Sequence, residues 1–213
     1  MQIVTLLGRV IVWHRVERGK GDEGQAGQRR AEDVIDAFDV LNFWFEELTP
    51  AQWWQKSAAV DSLIEARFGA VHEAALRGEL YAWRASSEGR LAEVIVLDQF
   101  SRNIYRGRRE AFAADGMALV LAQEAVAARH DHALPVARRA FLYLPYMHSE
   151  SAAIHELAVR LFTAPGLEDN LAFELRHQAI IDRFGRYPHR NAILGRESTP
   201  AEMEFLQTAG SSF

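Results

Sequence analysis

The segment GRLAEVIVLDQFSRNIYRG, residues 89–107, constrains the fold more than any other part of the chain. On a helical wheel Leu91, Val94 and Ile95 fall on one side, and Val96, Phe100 and Ile104 fall on the other. A helix that is apolar all round is stable only when other elements enclose it. Its polar residues then need partners inside the protein, because a lone buried charge is costly.

The rest of the chain supplies the enclosing helices. AEDVIDAFDVLNFWFEE places Val34, Phe38, Leu41 and Phe45 at the spacing of one helical stripe. TPAQWW starts a further helix, with Thr49 as N-cap and Pro50 at its first position. Residues 58–77 carry Val60, Leu63, Ile64, Phe68, Val71 and Leu76, and Gly78 suits the end. Helices are expected near 115–129, 136–144, 150–163 and 168–184, with Ser149 as the N-cap of the third. Pro145 is expected to end the second of these helices. In STPAEMEFL, Thr199 and Glu202 form a capping box with Pro200 at the first position. No alternating run of β-branched residues is bounded by hairpin turns. The expected fold is all-α: roughly eight helices, joined by short loops into antiparallel hairpins. Residues 1–30 contain the Gly-rich run RGKGDEGQAGQRR and read as an irregular extension and linker, with a single helical domain over 31–213.

Bulk properties exclude several function classes. The 213 residues are 49% hydrophobic, enough for a sizeable core, and carry a net charge of −5, which does not favour nucleic acid. There is no cysteine, so disulfides, thiolate metal sites and a cysteine nucleophile are impossible. No segment spans a membrane, and the N-terminus lacks the pattern of a signal peptide. A cytoplasmic protein without a cofactor or membrane partner is expected. Trp44, Trp53 and Trp54 could form a self-association surface in a homo-oligomer, or a packed aromatic cluster.

Four polar constellations could carry chemistry. In LDQFSRN, Asp98 with Arg102 and Gln99 with Asn103 are i, i+4 pairs. The first pair is either a structural clamp or a pocket wall in which Arg102 meets an anion. In PYMHSE, Glu150 falls in the expected first turn of a helix, whereas His148 has no local explanation. His148 and Glu150 do not have the spacing that puts two imidazoles on one helical face, so no metal site is assigned. His177, flanked by Phe173, Ile180 and Phe184, is either a satisfied core histidine or a ligand residue. RFGRYPHRNAILGR gathers Arg183, Arg186, Arg190 and Arg196 with His189 and Asn191. These arginines either attract an anion or pin the C-terminal helix through carboxylates.

These blocks carry a resemblance. LDQFSRNIYRG, AFAADGMAL, FLYLPYMHSE and RFGRYPHRNAILGRESTPAEMEFL, in this order and spacing, closely resemble the bacterial and eukaryotic family catalogued as domain of unknown function 924. The resemblance covers roughly residues 33–206. Ser101 stands where the family usually shows proline. The resemblance implies a tetratricopeptide-like helical fold and no particular activity.

The leading functional reading is a binding module. A pocket lined by Asp98, Gln99, Arg102, Asn103, His148, Glu150, His177, Arg183, Arg186, His189, Arg190 and Asn191 would hold a small anion or an acidic peptide. The alternative is a small hydrolase or phosphate-handling enzyme, with His148, Glu150 and His189 as catalytic candidates. In a third reading these polar residues only fix helix packing.

Overall fold

The central helix is enclosed as its sequence requires. The computed structural model describes residues 35–212. The expected extension over 1–30, the domain start at Ala31, and Val34 lie outside the described residues. The central helix begins as α4 (Ser87–Ile95), widens into a π-helical turn over Val96–Phe100, and continues as α5 (Ser101–Ile104). Every residue from Leu91 to Ser101 is buried. Around it stand α1 (Ala37–Asn42), α3 (Ala58–Leu76), α6 (Asp115–Ala127) and α7 (Val136–Met147). The short α2 (Pro50–Trp54) links α1 to α3. Beyond α7 come α8 (Ala152–Phe162), α9 (Glu168–Phe184), the short α10 (Asn191–Leu194) and α11 (Pro200–Phe205). Successive helices from α6 to α9 pack side by side, the hairpin arrangement that short connections favour. There is no strand among the described residues, and the fold is all-α.

Local signals set the helix starts. Asp36 and Asp39 cap α1 reciprocally, Thr49 and Gln52 cap α2 with Pro50 at its first position, and Thr199 and Glu202 cap α11. Gly78 closes α3 at φ +70°, where a side chain would be strained.

The structure corrects several details. Phe38 is 72% exposed, and the core face of α1 is Val40 and Leu41, continued by Phe43 and Trp44 in a π-helical turn over Phe43–Glu47. The Asp36 cap starts the helix one residue before Phe38, which places that ring beyond the core. Leu63 and Leu76 are exposed, and α3 packs through Val60, Ile64, Phe68 and Val71, with His72, Ala74 and Ala75 also buried. Trp44, Phe45 and Trp53 pack edge-on against Phe141, while Trp54 stacks on it from outside.

Pro145 does not end α7, which runs on to Met147. A proline inside a helix costs about 3 kcal/mol. Burial of Tyr146 and Met147 just beyond it, at about 1.5–3 kcal/mol for a large apolar side chain, offsets that cost. The extra turn makes His148 the C-cap residue, its N–H donating to the Leu144 carbonyl at 2.9 Å. Ser149 is not an N-cap: Ser151 holds that position and α8 begins at Ala152. Glu150 therefore lies before the helix and is free to bridge to the C-terminal segment.

Candidate functional site

Four distant stretches of chain meet beside the central helix. Its π-helical turn carries Asp98, the end of α7 carries His148, the start of α6 carries Asp115, and the 3-10 turn Pro188–Arg190 carries Arg190. The His148 Nδ1–H donates to Asp98 Oδ1 at 2.8 Å, and the Gln99 amide donates to Asp98 Oδ2 at 2.6 Å. Arg102 reaches past Asp98, which it approaches at 3.4 Å, and grips both oxygens of Asp115 at 2.9 and 3.2 Å. Arg190 donates to Asp115 at 3.1 Å and to the His148 carbonyl at 3.1 Å. The Phe112 ring lies under both guanidiniums, 5.8 Å from Arg102 and 4.6 Å from Arg190.

These contacts fix the charge states. Burial alone would raise the Asp98 carboxyl, but Arg102 and the His148 ring outweigh it and hold Asp98 below the usual carboxylate range. Burial, then Arg102, push His148 below the usual imidazole range against the pull of Asp98. These shifts favour the ionised form of Asp98 and the neutral form of His148. The Asp98 bond places the imidazole proton on Nδ1 and leaves the Nε2 lone pair available. Nε2 makes no hydrogen bond among the described residues, and 17% of the side chain is exposed. His148 lines a cleft of about 550 Å³ whose wall also includes Phe112, Asp115, Leu119, Pro145, Glu150 and Arg190.

The remaining expected site residues divide into three groups. Glu150 lines the cleft, but its carboxylate is committed to Arg196 at 2.6 and 2.9 Å and to the Tyr187 N–H at 2.7 Å. His177 and His189 flank the Tyr187 ring at 5.8 and 5.5 Å, and burial pulls them down to about 3 and about 4. His177 Nδ1–H donates to the Phe173 carbonyl at 2.8 Å. The Phe173 side chain is exposed, so the buried face of α9 is Glu174, His177, Ile180 and Ile181.

The third group lies apart from the cleft. Asn103 bonds the Gln99 carbonyl and Arg106. Arg183 rests on the Phe184 and Phe205 rings, and Arg186 is paired with buried Glu202. Asn191 holds Ser198 and Arg196. The expected four-arginine patch is therefore dispersed among separate partners. Among the described residues no three His, Asp or Glu side chains group as metal ligands.

Sequence reasoning missed Asp115, Phe112 and Arg109, all on the cleft wall, and the buried Glu174. Asp115 sits in the block AFAADGMAL, yet a first-turn acid reads only as a partner for the helix dipole. Ser101, in place of the proline usual in the resembling family, is buried and bonds the Leu97 carbonyl at 2.6 Å and the His72 ring at 2.8 Å.

Among curated proteins, none matches the chain. A solved structure described as a protein of unknown function from Agrobacterium tumefaciens is 41% identical, with a TM-score of 0.76, and the match covers 80% of this chain and 96% of that one. The family model for a bacterial protein of unknown function, DUF924, matches residues 40–210, from the first core residue of α1 to beyond α11. With the fold and four signature blocks agreeing over that span, the chain belongs to the DUF924 family.

Proposed function

We propose that the cleft binds a small molecule and that His148 serves there as its general base, with Asp98 as the residue that orients it. One observation carries this reading: an imidazole bonded through Nδ1 to a buried carboxylate lines an open cleft, and its Nε2 makes no hydrogen bond among the described residues. Most buried polar groups of purely structural side chains find partners inside the protein. The cleft volume of about 550 Å³ suits a metabolite-sized ligand, which favours a small molecule over the acidic peptide that a long groove would take. Arg186 and Arg183 have other partners and do not enter the reading.

A thermal-shift screen of the intact chain against metabolite classes tests it, with each binder then incubated and its products followed by NMR. We expect at least one binder to be consumed, and His148→Gln to cut the rate by about 10²-fold or more while the folded spectrum is retained. Asp98→Asn should lower the rate as well, because the ring loses its fixed tautomer. Turnover unchanged in His148→Gln would overturn the reading. Binders of which none is consumed would return the cleft to a plain binding site.

A further inference from the structure

His148 is held at both ends, by its ring and by its own backbone, and the bonds that hold it form a closed circuit. The ring donates to Asp98 at 2.8 Å, and Arg102 lies 3.4 Å from that carboxylate. Arg102 and Arg190 both bond Asp115. Arg190 then closes the circuit with a second arm, donating to the His148 carbonyl at 3.1 Å. The Arg190 guanidinium has little room to move. It is buried between the Phe112 and Tyr187 rings, 4.6 and 4.7 Å from their centres.

The neighbouring backbone is held in the same way. Carbonyls at the end of a helix lack an intrahelical partner and look to side chains or water. Where α7 ends, three successive carbonyls are taken by three different side chains. The buried Tyr187 hydroxyl donates to that of Met147, Arg190 to that of His148, and His155 Nε2–H to that of Ser149 at 2.9 Å. Tyr187 and Arg190 reach back across 40 and 42 positions of sequence to do so. Capping alone would be met by any donor, water included. Here one rigid fork joins the two walls of the cleft, the start of α6 through Asp115 and the end of α7 through His148.

We infer that Arg190 and Tyr187 are positioning residues for His148: through its carbonyl and that of Met147 they set where the imidazole stands, so that its ring stays on Asp98 with Nε2 left for a ligand. This inference rests on the proposal that His148 works in the cleft, and it adds the residues that place it there. Asp98 is fixed independently, buried in the central helix and bonded by the Gln99 amide. When the clamp loosens, the ring therefore leaves Asp98 behind and loses the bond that puts its proton on Nδ1.

Long-range ¹H–¹⁵N NMR of the histidine rings in the full chain tests it, because it reads which ring nitrogen carries the proton. Tyr187→Phe removes one hydroxyl and keeps the ring on which Arg190 rests. Arg190→Lys keeps the charge and loses the two-armed reach. In folded samples, at a pH where the ring is neutral, each should shift the ratio of Nδ1–H to Nε2–H forms of His148 by about tenfold, the scale of one ordinary hydrogen bond. Arg186→Ala is the control. It frees Glu202 in the same C-terminal segment and touches none of the three carbonyls, so the His148 signals should stay in place. The inference is overturned for a residue whose folded variant keeps the parent ratio, and as a whole if Arg186→Ala moves the ratio as far. Tyr187→Phe decides alone if Arg190→Lys does not fold. The parent chain's own spectrum judges the general-base reading separately. A His148 ring protonated at pH 7 would sink that reading, while the comparison of variants with parent still decides the clamp.

Discussion

Among the described residues two imidazole–carboxylate pairs bridge helices, and they have opposite surroundings. His148 donates to Asp98 at 2.8 Å, and His155 on α8 meets Glu174 on α9 at 2.6 Å. Both side chains of the second pair are 0% exposed. His155 Nε2–H donates to the Ser149 carbonyl at 2.9 Å and lies 3.2 Å from the Tyr187 hydroxyl, so neither ring nitrogen is left for a ligand. The carboxylates differ too. Asp98 has Arg102, Gln99 and His148 around it and is held low. Burial pushes Glu174 up, only His155 opposes it, and its Oε2 is buried without a partner. On the proposed reading the same two chemical groups make a poised base where a guanidinium and a cleft adjoin, and a structural pin where both ring nitrogens are held inside the protein. The pin still serves the site. His155 grips the carbonyl of Ser149, and Tyr187 donates to that of Met147, the residues on either side of His148.

Removing half of the sealed pair should have the largest effect. Glu174→Ala leaves His155 buried beside an empty space, and breaking a buried pair costs about 3–5 kcal/mol. Urea unfolding followed by tryptophan fluorescence measures it. A loss below about 1 kcal/mol would show that the pin carries little, and the contrast between the pairs would fail with it.

The two pairs should also respond oppositely to pH. A histidine whose folded value is lowered contributes stability that is present above its ordinary 6.5 and is lost as pH falls through the folded value. His148 does this, as do His177 at about 3 and His189 at about 4, so the loss continues from 6.5 towards pH 3–4. Glu174 has the reverse sign. Its folded value is raised, so its contribution is full below the ordinary 4.5 and is lost as pH rises through the folded value. Melting temperatures across this range should show Glu174→Gln removing the loss on the rising side while keeping the acid loss, each amounting to about 1.4 kcal/mol for every tenfold change in proton affinity on folding. An unchanged rising side in Glu174→Gln would contradict the raised value.

Much of this architecture is legible in the sequence, and the unread part has a common cause. The all-round apolar run 91–104, the Thr49 cap, the Thr199–Glu202 capping box and the break at Gly78 are local signals, and the structure follows them. His148 is visible as a residue without a local explanation, and Asp98 as one half of an i, i+4 pair with Arg102. Their pairing spans fifty positions of sequence and is invisible without the fold. Pro145 misleads because the offset comes from tertiary burial. Glu174 looks like surface on a helix of mixed polarity. Only His155, nineteen residues away, makes its burial tolerable.

The smallest effect sharpens the same contrast among the arginines. Arg183 and Arg190 stand seven positions apart in one arginine-rich segment, and sequence gives no reason to separate them. Arg183 lies exposed over the Phe184 and Phe205 rings, 4.7 and 6.0 Å from their centres. Arg190 is buried between Phe112 and Tyr187 and bonded to Asp115. An exposed cation on an aromatic face contributes about 0.5–1 kcal/mol, so Arg183→Ala should lower stability by no more than that. It should also leave the affinity of any cleft ligand unchanged in the same thermal-shift titration. A loss of several kcal/mol, or a weakened ligand, would mean that Arg183 belongs with Arg190 after all. The segment would then act as one basic patch, and the division of the protein into a working pair and a sealed pair would need a third, solvent-facing anion site beside them.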